Sequence, residues 1–191
     1  MSAKHATTSA PILDTLTERW SPRAFDGDHS FPENALLSAF EAARWSPSAN
    51  NSQPWRFIVA RRGSESFAKI ESTLAGFNAA WAGAASALIV NLAVVETETG
   101  EPQRWAEYDL GQAVAHLSVQ AHADGLYVHQ MGGFDAEKIS EAFDLGTELR
   151  AVSVMTIGKL GVPEQLAEPL KERELAPRSR LEVDELIVVN D

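Results

Sequence analysis

Residues 44–57 carry the densest group of amide and hydroxyl side chains in the chain. They read Arg-Trp-Ser-Pro-Ser-Ala-Asn-Asn-Ser-Gln-Pro-Trp-Arg-Phe, with two Ser, two Asn and one Gln between Pro47 and Pro54. Proline disfavours helical angles in the residue before it, so both ends of this central loop are expected to be extended. A stiff loop of this composition suits the binding of a flat ligand with polar edges. The same composition also fits an ordinary polar turn.

A second candidate for chemistry is the stretch of residues 19–25, Arg-Trp-Ser-Pro-Arg-Ala-Phe. Arg19 and Arg23 flank Ser21, and Pro22 opposes continuation of the helix predicted before it. The chain has 16 Lys and Arg against 27 Asp and Glu, so basic residues are scarce. Two arginines around a serine favour an anion site, because a guanidinium group can bind two phosphate oxygens at once. The alternative is a solvated basic turn.

Several other kinds of active site have no motif in this sequence. No Gly-x-Gly-x-x-Gly, phosphate-binding P-loop, Gly-x-Ser-x-Gly or His-Glu-x-x-His occurs. The absence of cysteine excludes disulfides, thiolate metal sites and a Cys nucleophile, and no metal site is expected. His116 and His122 lie six apart on a predicted helix, so we expect them to be structural. His129 ends a predicted strand beside Gly132 and Gly133, where it either faces a ligand or serves the fold.

Four stretches in order resemble the motifs of the flavin-dependent nitroreductase family. The central loop segment Pro-Ser-Ala-Asn-Asn-Ser-Gln-Pro-Trp is similar to the hallmark loop of that family. Residues 19–25 resemble its N-terminal Arg-x-Ser-x-Arg/Lys-x-Phe motif. Gly132-Gly-Phe-Asp135 and Arg178-Ser-Arg-Leu181 resemble its later motifs. The resemblance runs from about residue 12 to about residue 182, and the four motifs together are much more specific than any one of them.

The resemblance implies a nitroreductase-like fold and a noncovalent FMN at the interface of a homodimer. Arg19, Ser21, Arg178 and Arg180 are expected at the phosphate. The central loop is expected to reach the flavin from the partner subunit. The expected cofactor-binding residues are Arg19, Trp20, Ser21, Arg23, Pro47, Ser48, Ala49, Asn50, Asn51, Gln53, Asn78, Gln130, Met131, Gly132, Gly133, Arg178 and Arg180. The expected substrate-contacting residues are Asn50, Phe77 and His129.

Within the implied site, Arg23 and Asn78 are expected at the pyrimidine edge of the flavin. A cation there stabilises the negative charge that gathers at N1 and O2 on reduction. The backbone of Gly132 and Gly133 is expected against N5 and O4. The chain departs from some family members at Trp81, where they carry a Lys, and at Gly132, where they carry an acidic residue. Both departures leave the reduction potential of the flavin and the preferred acceptor open, but not the binding of the flavin itself.

The activity that the resemblance implies is hydride transfer from NAD(P)H through flavin N5 to a small electrophile. The acceptor is a nitroaromatic, a quinone, an enal or a similar compound, and donor and acceptor use one pocket in turn by a ping-pong mechanism. No catalytic side chain is expected, because the flavin carries the chemistry. The alternative is an FMN-binding carrier, sensor or structural homodimer without rapid turnover.

The elements that position these residues can be predicted from hydrophobic periodicity. Strands separated by helices indicate an α/β or α+β domain over residues 11–191, after a flexible tail of residues 1–10. The fold expected from the resemblance is α+β, a mixed sheet wrapped by helices. The predicted helices are 11–19, 31–44, 64–74, 104–124, 135–143 and 163–174, and the predicted strands are 55–61, 86–95, 126–129, 150–158 and 186–189.

Composition narrows the classes of partner. The net charge of −11 argues against nucleic acid, because binding phosphate backbones needs surplus Lys and Arg. The longest apolar run, residues 81–95, is too short to span a bilayer, and the first ten residues lack a signal-peptide core. These features predict a cytoplasmic protein without a membrane segment.

Overall fold

A computed structural model of the protein describes residues 4–32 and 34–190. It has the α+β architecture that the sequence predicts, with one four-stranded sheet in the order β1-β2-β4-β3. All strand pairs in the described residues are antiparallel, whereas the expectation was a mixed sheet. The strands are β1 (Trp55–Arg61), β2 (Ala87–Val94), β3 (Tyr127–Met131) and β4 (Leu149–Gly158). The helices are α1 (Asp14–Glu18), α2 (Leu37–Arg44), α3 (Glu65–Glu71), α4 (Ala106–Ala123), α5 (Ala136–Ala142), α6 (Leu170–Leu175) and α7 (Val183–Leu186).

The sheet is covered by helices on both faces. On one face, Ile89 packs in a core with Leu110 and Leu117 of α4. On the other face, Val90 packs with Ile70 of α3 and Ile139 of α5. Strand β2 lies in the middle of both cores, and seven of its eight residues are buried. Its nearly continuous apolar sequence therefore reflects burial on both sides, as the pattern of residues 86–95 predicts.

Local signals set the ends of several elements. The Ser64 side chain caps α3 by accepting from the Phe67 N–H at 3.1 Å. The Asp135 side chain caps α5 by accepting from the Lys138 N–H at 3.1 Å. Gly125 ends α4 with a φ of +74°, a left-handed conformation that glycine adopts at little cost. These three boundaries agree with the sequence prediction to within two residues.

Two predicted elements in the C-terminal part are wrong. The predicted helix over residues 163–174 is divided into a short 3-10 turn, Pro163–Gln165, and α6. Pro169 lies immediately before α6, where its missing N–H prevents a continuous helix. The predicted edge strand over residues 186–189 is absent. A capping box between Glu182 and Glu185 starts the short helix α7 instead.

The two ends of the chain differ in how they pack. The apolar segment after α7 remains exposed, with Val188 95% accessible. At the other end, the Ala6 N–H donates to the Thr17 carbonyl at 2.8 Å. The helix predicted over residues 31–44 begins later than expected, as α2 at Leu37, because residues 31, 32 and 34–36 are not helical; residue 33 lies outside the described residues. No helix in the described part of the chain is both long and apolar enough to cross a membrane.

Candidate functional site

Three arginines from the two ends of the chain meet in one cluster. Burial, and then the positive charge of Arg180, lower the pKa of Arg19. Burial, and then the charges of Arg19 and Arg180, lower the pKa of Arg178. Among the residues that the structure describes, none of these guanidinium groups forms an ion pair with a carboxylate. Three mutually repelling cations without a counter-ion suit a multiply charged anion.

Arg178 also has a structural role within this arginine cluster. Its Nη1 donates to the Lys4 carbonyl at 3.0 Å and to the Thr17 carbonyl at 2.6 Å. These bonds join the C-terminal segment to α1 and to the residues before it. Arg180, in contrast, donates only to the neighbouring Ser179 carbonyl and remains exposed. Its guanidinium group is therefore free to bind a ligand without breaking a contact of the fold.

The segment between the two arginines of the N-terminal motif is held by a buried carboxylate. Glu174, only 2% exposed, accepts from the Arg23 N–H at 2.9 and 3.1 Å and from the Ala24 N–H at 3.0 Å. A buried carboxylate needs several donors, and here backbone groups supply them. Sequence reasoning missed this residue, because Glu174 lies in a charged stretch that reads as a solvated helix. No local signal separates it from its exposed neighbours.

His129 connects this segment to β3. Its Nδ1 donates to the Pro22 carbonyl at 2.8 Å, and its ring lies 4.6 Å from the Trp81 ring. Burial lowers the pKa of His129 to about 4, although the hydrogen bond to Pro22 acts in the opposite direction. The imidazole is therefore neutral at pH 7, and Nδ1 is occupied by the fold. A backbone hydrogen bond with Ser21 also engages the ring. A substrate contact by His129 stays a prediction.

Strand β3 leads from His129 to the two glycines. Asn78 Nδ2 donates to the Gly133 carbonyl at 3.1 Å, so the predicted pair Asn78 and Gly133 is in direct contact. A Cβ on Gly133 would lie 2.9 Å from that Nδ2, so a larger residue there would have to displace the Asn78 amide. A Cβ on Gly132 would meet nothing within 4 Å, so open space adjoins its backbone. Phe77 beside Asn78 is 55% exposed.

The central loop is rigid but presents its amides to solvent. Asn50, Asn51 and Gln53 all have positive φ, between 48° and 55°. Three left-handed residues within four positions store strain, which persists only where neighbouring contacts hold the backbone. Asp109 on α4 supplies one contact by accepting from the Ala49 N–H at 3.0 Å, and Ser48 Oγ accepts from the Gln53 N–H at 3.0 Å. All three left-handed side chains are exposed.

The histidines of α4 have structural contacts, in line with the expectation for them. Ser46 Oγ lies 2.7 Å from His116 Nδ1, which ties the start of the central loop to α4. His122 packs edge-on against Tyr127 at 5.0 Å, with its side chain 8% exposed. The described residues contain no group of His, Asp and Glu side chains placed to hold a metal ion.

The predicted site residues therefore fall into two groups within one chain. In the first group, the contacts given above link the arginine cluster, Pro22, His129, Asn78 and Gly133. The central loop precedes β1, which is the opposite edge of the sheet from β3. Three strand spacings of about 4.8 Å separate these edges by roughly 14 Å. A ligand that touches both groups needs a second chain or a span of that length.

Comparisons with known proteins identify relatives of this chain. The model of the nitroreductase family matches residues 16–79. A 15.4 kDa uncharacterized protein from Mycolicibacterium smegmatis is 38% identical over 141 residues, covering 69% of this chain and 92% of that protein. A Bacillus subtilis protein named "Putative NAD(P)H nitroreductase YdgI" is 28% identical over 188 residues, covering 78% of this chain and 88% of that protein.

A solved structure extends the similarity over nearly the whole chain. The crystal structure of an oxidoreductase containing FMN is 34% identical to this chain and has a TM-score of 0.89. The match covers 95% of this chain and 92% of that chain. The sequence motifs, the family model and the similarity over the whole chain all indicate the same family. The chain belongs to the nitroreductase family.

Proposed function

We propose that the protein is an FMN-dependent oxidoreductase that passes hydride from NAD(P)H to a small electrophilic acceptor. The observation that carries this proposal is the arginine cluster of Arg19, Arg178 and Arg180, which lacks a carboxylate partner among the described residues. A terminal phosphate supplies the missing counter-ion. The similar crystal structure contains FMN, and the name of the Bacillus subtilis relative includes NAD(P)H, which supports the choice of cofactor and donor.

Each linked residue has a definite task in the proposed site. The arginine cluster binds the phosphate, and Arg23 with Asn78 binds the pyrimidine edge. The open backbone at Gly132 and Gly133 lets the ring approach closely. His129 adds no charge at neutral pH, because burial keeps it deprotonated, and it holds the Pro22 carbonyl in place. When bound, FMN accepts hydride at N5 and passes it to the acceptor.

Donor and acceptor are proposed to use this one site in turn. The sequence contains no separate dinucleotide-binding motif, and no proton-relay constellation accompanies the site residues. The overall reaction balances with one proton: NAD(P)H, H⁺ and a quinone yield NAD(P)⁺ and a hydroquinone. A nitro compound yields NAD(P)⁺, a nitroso compound and water. The chain contributes position and electrostatics, which together account for much of the rate in such sites.

The working unit is proposed to be a homodimer. The central loop precedes β1 and Gly133 follows β3, and three strand spacings separate these edge strands by roughly 14 Å. This separation favours a loop from a second chain as the one that reaches the ring system. Large apolar side chains in or beside that loop are exposed, among them Trp45 at 73% and Tyr108 at 67%. A second copy that covers these side chains would bring its own central loop to the site of the first.

The absorption spectrum of the purified protein, followed by turnover, tests the proposal. A flavin spectrum, together with NAD(P)H oxidation that depends on a nitroaromatic or a quinone, is the expected result. A colourless protein that does not bind added FMN would refute the cofactor. A stably yellow protein that oxidises neither NADH nor NADPH would instead favour a carrier, sensor or structural role.

A further inference from the structure

Arg173 on α6 is a cation beside the proposed site that has no task in cofactor binding. The phosphate is assigned to the arginine cluster and the pyrimidine edge to Arg23. The guanidinium of Arg173 lies 5.2 Å from the centroid of the Phe77 ring. Within the described part of the chain, this guanidinium has no carboxylate partner and no hydrogen bond. Arg44 and Arg150, in contrast, pair with Glu41 and Glu107.

The position of Arg173 is fixed from both sides. Glu174, the next residue, is buried and accepts from the Arg23 and Ala24 N–H groups. Helix α6 is therefore attached to the segment of Arg23 and Ala24 in the N-terminal motif. The Arg173 side chain reaches across to Phe77, which adjoins Asn78 and hence Gly133. Arg173 thus contacts Phe77 from a helix whose next residue, Glu174, binds the N-terminal motif. We call Arg173 and the exposed Phe77 ring the rim.

The rim combines a flat apolar surface with a positive charge. Phe77 is 55% exposed, so its ring is available to an aromatic ligand. The chain as a whole carries a net charge of −11, which repels anions from most of its surface. Basic residues nevertheless lie near Arg173, because Lys4 donates to the Arg173 carbonyl at 3.5 Å and is close enough to Arg23 and Arg178 to interact with their charges. A guanidinium group that stacks on a ring and still has free donors suits a carboxylate.

We infer that Arg173 binds an anionic substituent of the acceptor, and that the substrates are planar aromatic compounds carrying a carboxylate or a similar group. This inference rests on the proposed function. The reducible group of the acceptor reaches the redox centre while Phe77 contacts its ring and Arg173 its carboxylate. For a nitrobenzoate, hydride from NAD(P)H and one proton convert the nitro group to a nitroso group and water. The carboxylate itself is unchanged.

A matched pair of acceptors tests the inference on the FMN-loaded protein. 4-Nitrobenzoate and 4-nitrobenzamide differ in charge but little in shape. Arg173→Ala is expected to raise the KM for 4-nitrobenzoate roughly tenfold, the lower end for a hydrogen bond to a charged group. The KM for 4-nitrobenzamide and both kcat values should change less than about twofold. Arg173→Lys should restore part of the selectivity, because it retains the charge without the flat fork.

Lys171→Ala is the control, because it removes the same charge from the same helix without touching Phe77. It should leave the ratio of the two KM values unchanged. Calorimetric titration with benzoate and benzamide, which cannot be reduced, gives a second measurement that does not depend on turnover. Benzoate affinity should fall in Arg173→Ala and benzamide affinity should not.

Three results would overturn the inference. These are equal losses for the charged and the neutral acceptor, no loss for either, or a loss confined to NADPH relative to NADH. The last would place the anion on the ribose phosphate of the donor. Failure of the proposed function looks different, because wild-type protein would then reduce neither acceptor. The benzoate titration would still test Arg173 in that case.

Discussion

The Arg180→Ala variant tests whether Arg180 binds a ligand without supporting the fold, in contrast to Arg178, which also has structural contacts. In the structure, the Arg180 guanidinium donates only to the adjacent Ser179 carbonyl and is exposed. Its charge lies close enough to lower the pKa of Arg19 and of Arg178. Removing it therefore breaks no long-range contact and relieves repulsion within the arginine cluster. The free energy of unfolding of the apoprotein should stay within about 0.5 kcal/mol of wild type or rise.

The affinity for FMN, unlike the stability of the apoprotein, should fall in Arg180→Ala. A hydrogen bond to a charged group contributes about 1.5 to 3 kcal/mol, and each 1.4 kcal/mol changes a dissociation constant tenfold. One charged contact from Arg180 to the phosphate thus corresponds to a loss of about tenfold, and a bidentate contact to roughly a hundredfold. Arg178→Ala should weaken FMN binding and also lower apoprotein stability, because Arg178 additionally bonds the Lys4 and Thr17 carbonyls.

Riboflavin, which lacks the phosphate, provides the decisive comparison. Its affinity for the Arg180→Ala protein should equal that for wild type when both are measured by quenching of flavin fluorescence. Lys171→Ala controls for the change in net charge. Equal losses for FMN and riboflavin, or a fall in apoprotein stability as large as the loss in binding, would contradict the assignment of this cluster to the phosphate.

Three further outcomes are expected. Sedimentation of the FMN-loaded protein should give twice the chain mass of 20.7 kDa, and a stable 20.7 kDa species would refute the homodimer. Burial lowers the pKa of His129 to about 4 from 6.5. Its contribution to stability is therefore complete above pH 6.5 and lost as pH falls toward 4, by up to about 3 kcal/mol. Urea titrations should show a smaller fall in His129→Gln than in wild type. Double-reciprocal plots against NAD(P)H at several acceptor concentrations should give parallel lines, whereas intersecting lines would mean that donor and acceptor bind together.

Sequence patterns predict the interior elements of this fold well. The helix predicted over residues 104–124 is observed as α4, and the apolar run at 86–95 contains β2. These elements are long, and their burial leaves a clear periodicity or a continuous apolar run. Prediction fails near the C-terminus, where the apolar run at 186–189 has no neighbouring strand within the chain. Apolar character shows that a segment favours burial, but it does not specify the partner.

The contacts that assemble the site are of a kind that sequence patterns do not reveal. Glu174 and Arg23 are 151 residues apart in the chain, and His129 and Pro22 are 107 residues apart. Asp109, which holds the Ala49 N–H, lies on the buried side of α4 among apolar residues. Each is a single polar residue whose role depends on a hydrogen bond to a backbone group that is distant in the sequence. Composition indicated that Arg19 and Arg23 suit an anion, but only the resemblance to a family related them to Arg178 and Arg180.

Trp81 shows how the packing of this chain determines where positive charge can lie. The residue is 4% exposed, and its ring lies between Phe25 at 6.1 Å and His129 at 4.6 Å. A lysine at this position, as in some family members, would place an ammonium group in the apolar core, at a cost of several kcal/mol. Trp81 thus supports His129, and through it Pro22, while adding no charge. In the proposed site, positive charge near the ring must then come from other residues. Arg23, whose N–H is bound by the Glu174 carboxylate, and Arg173, the residue before Glu174, are the candidates.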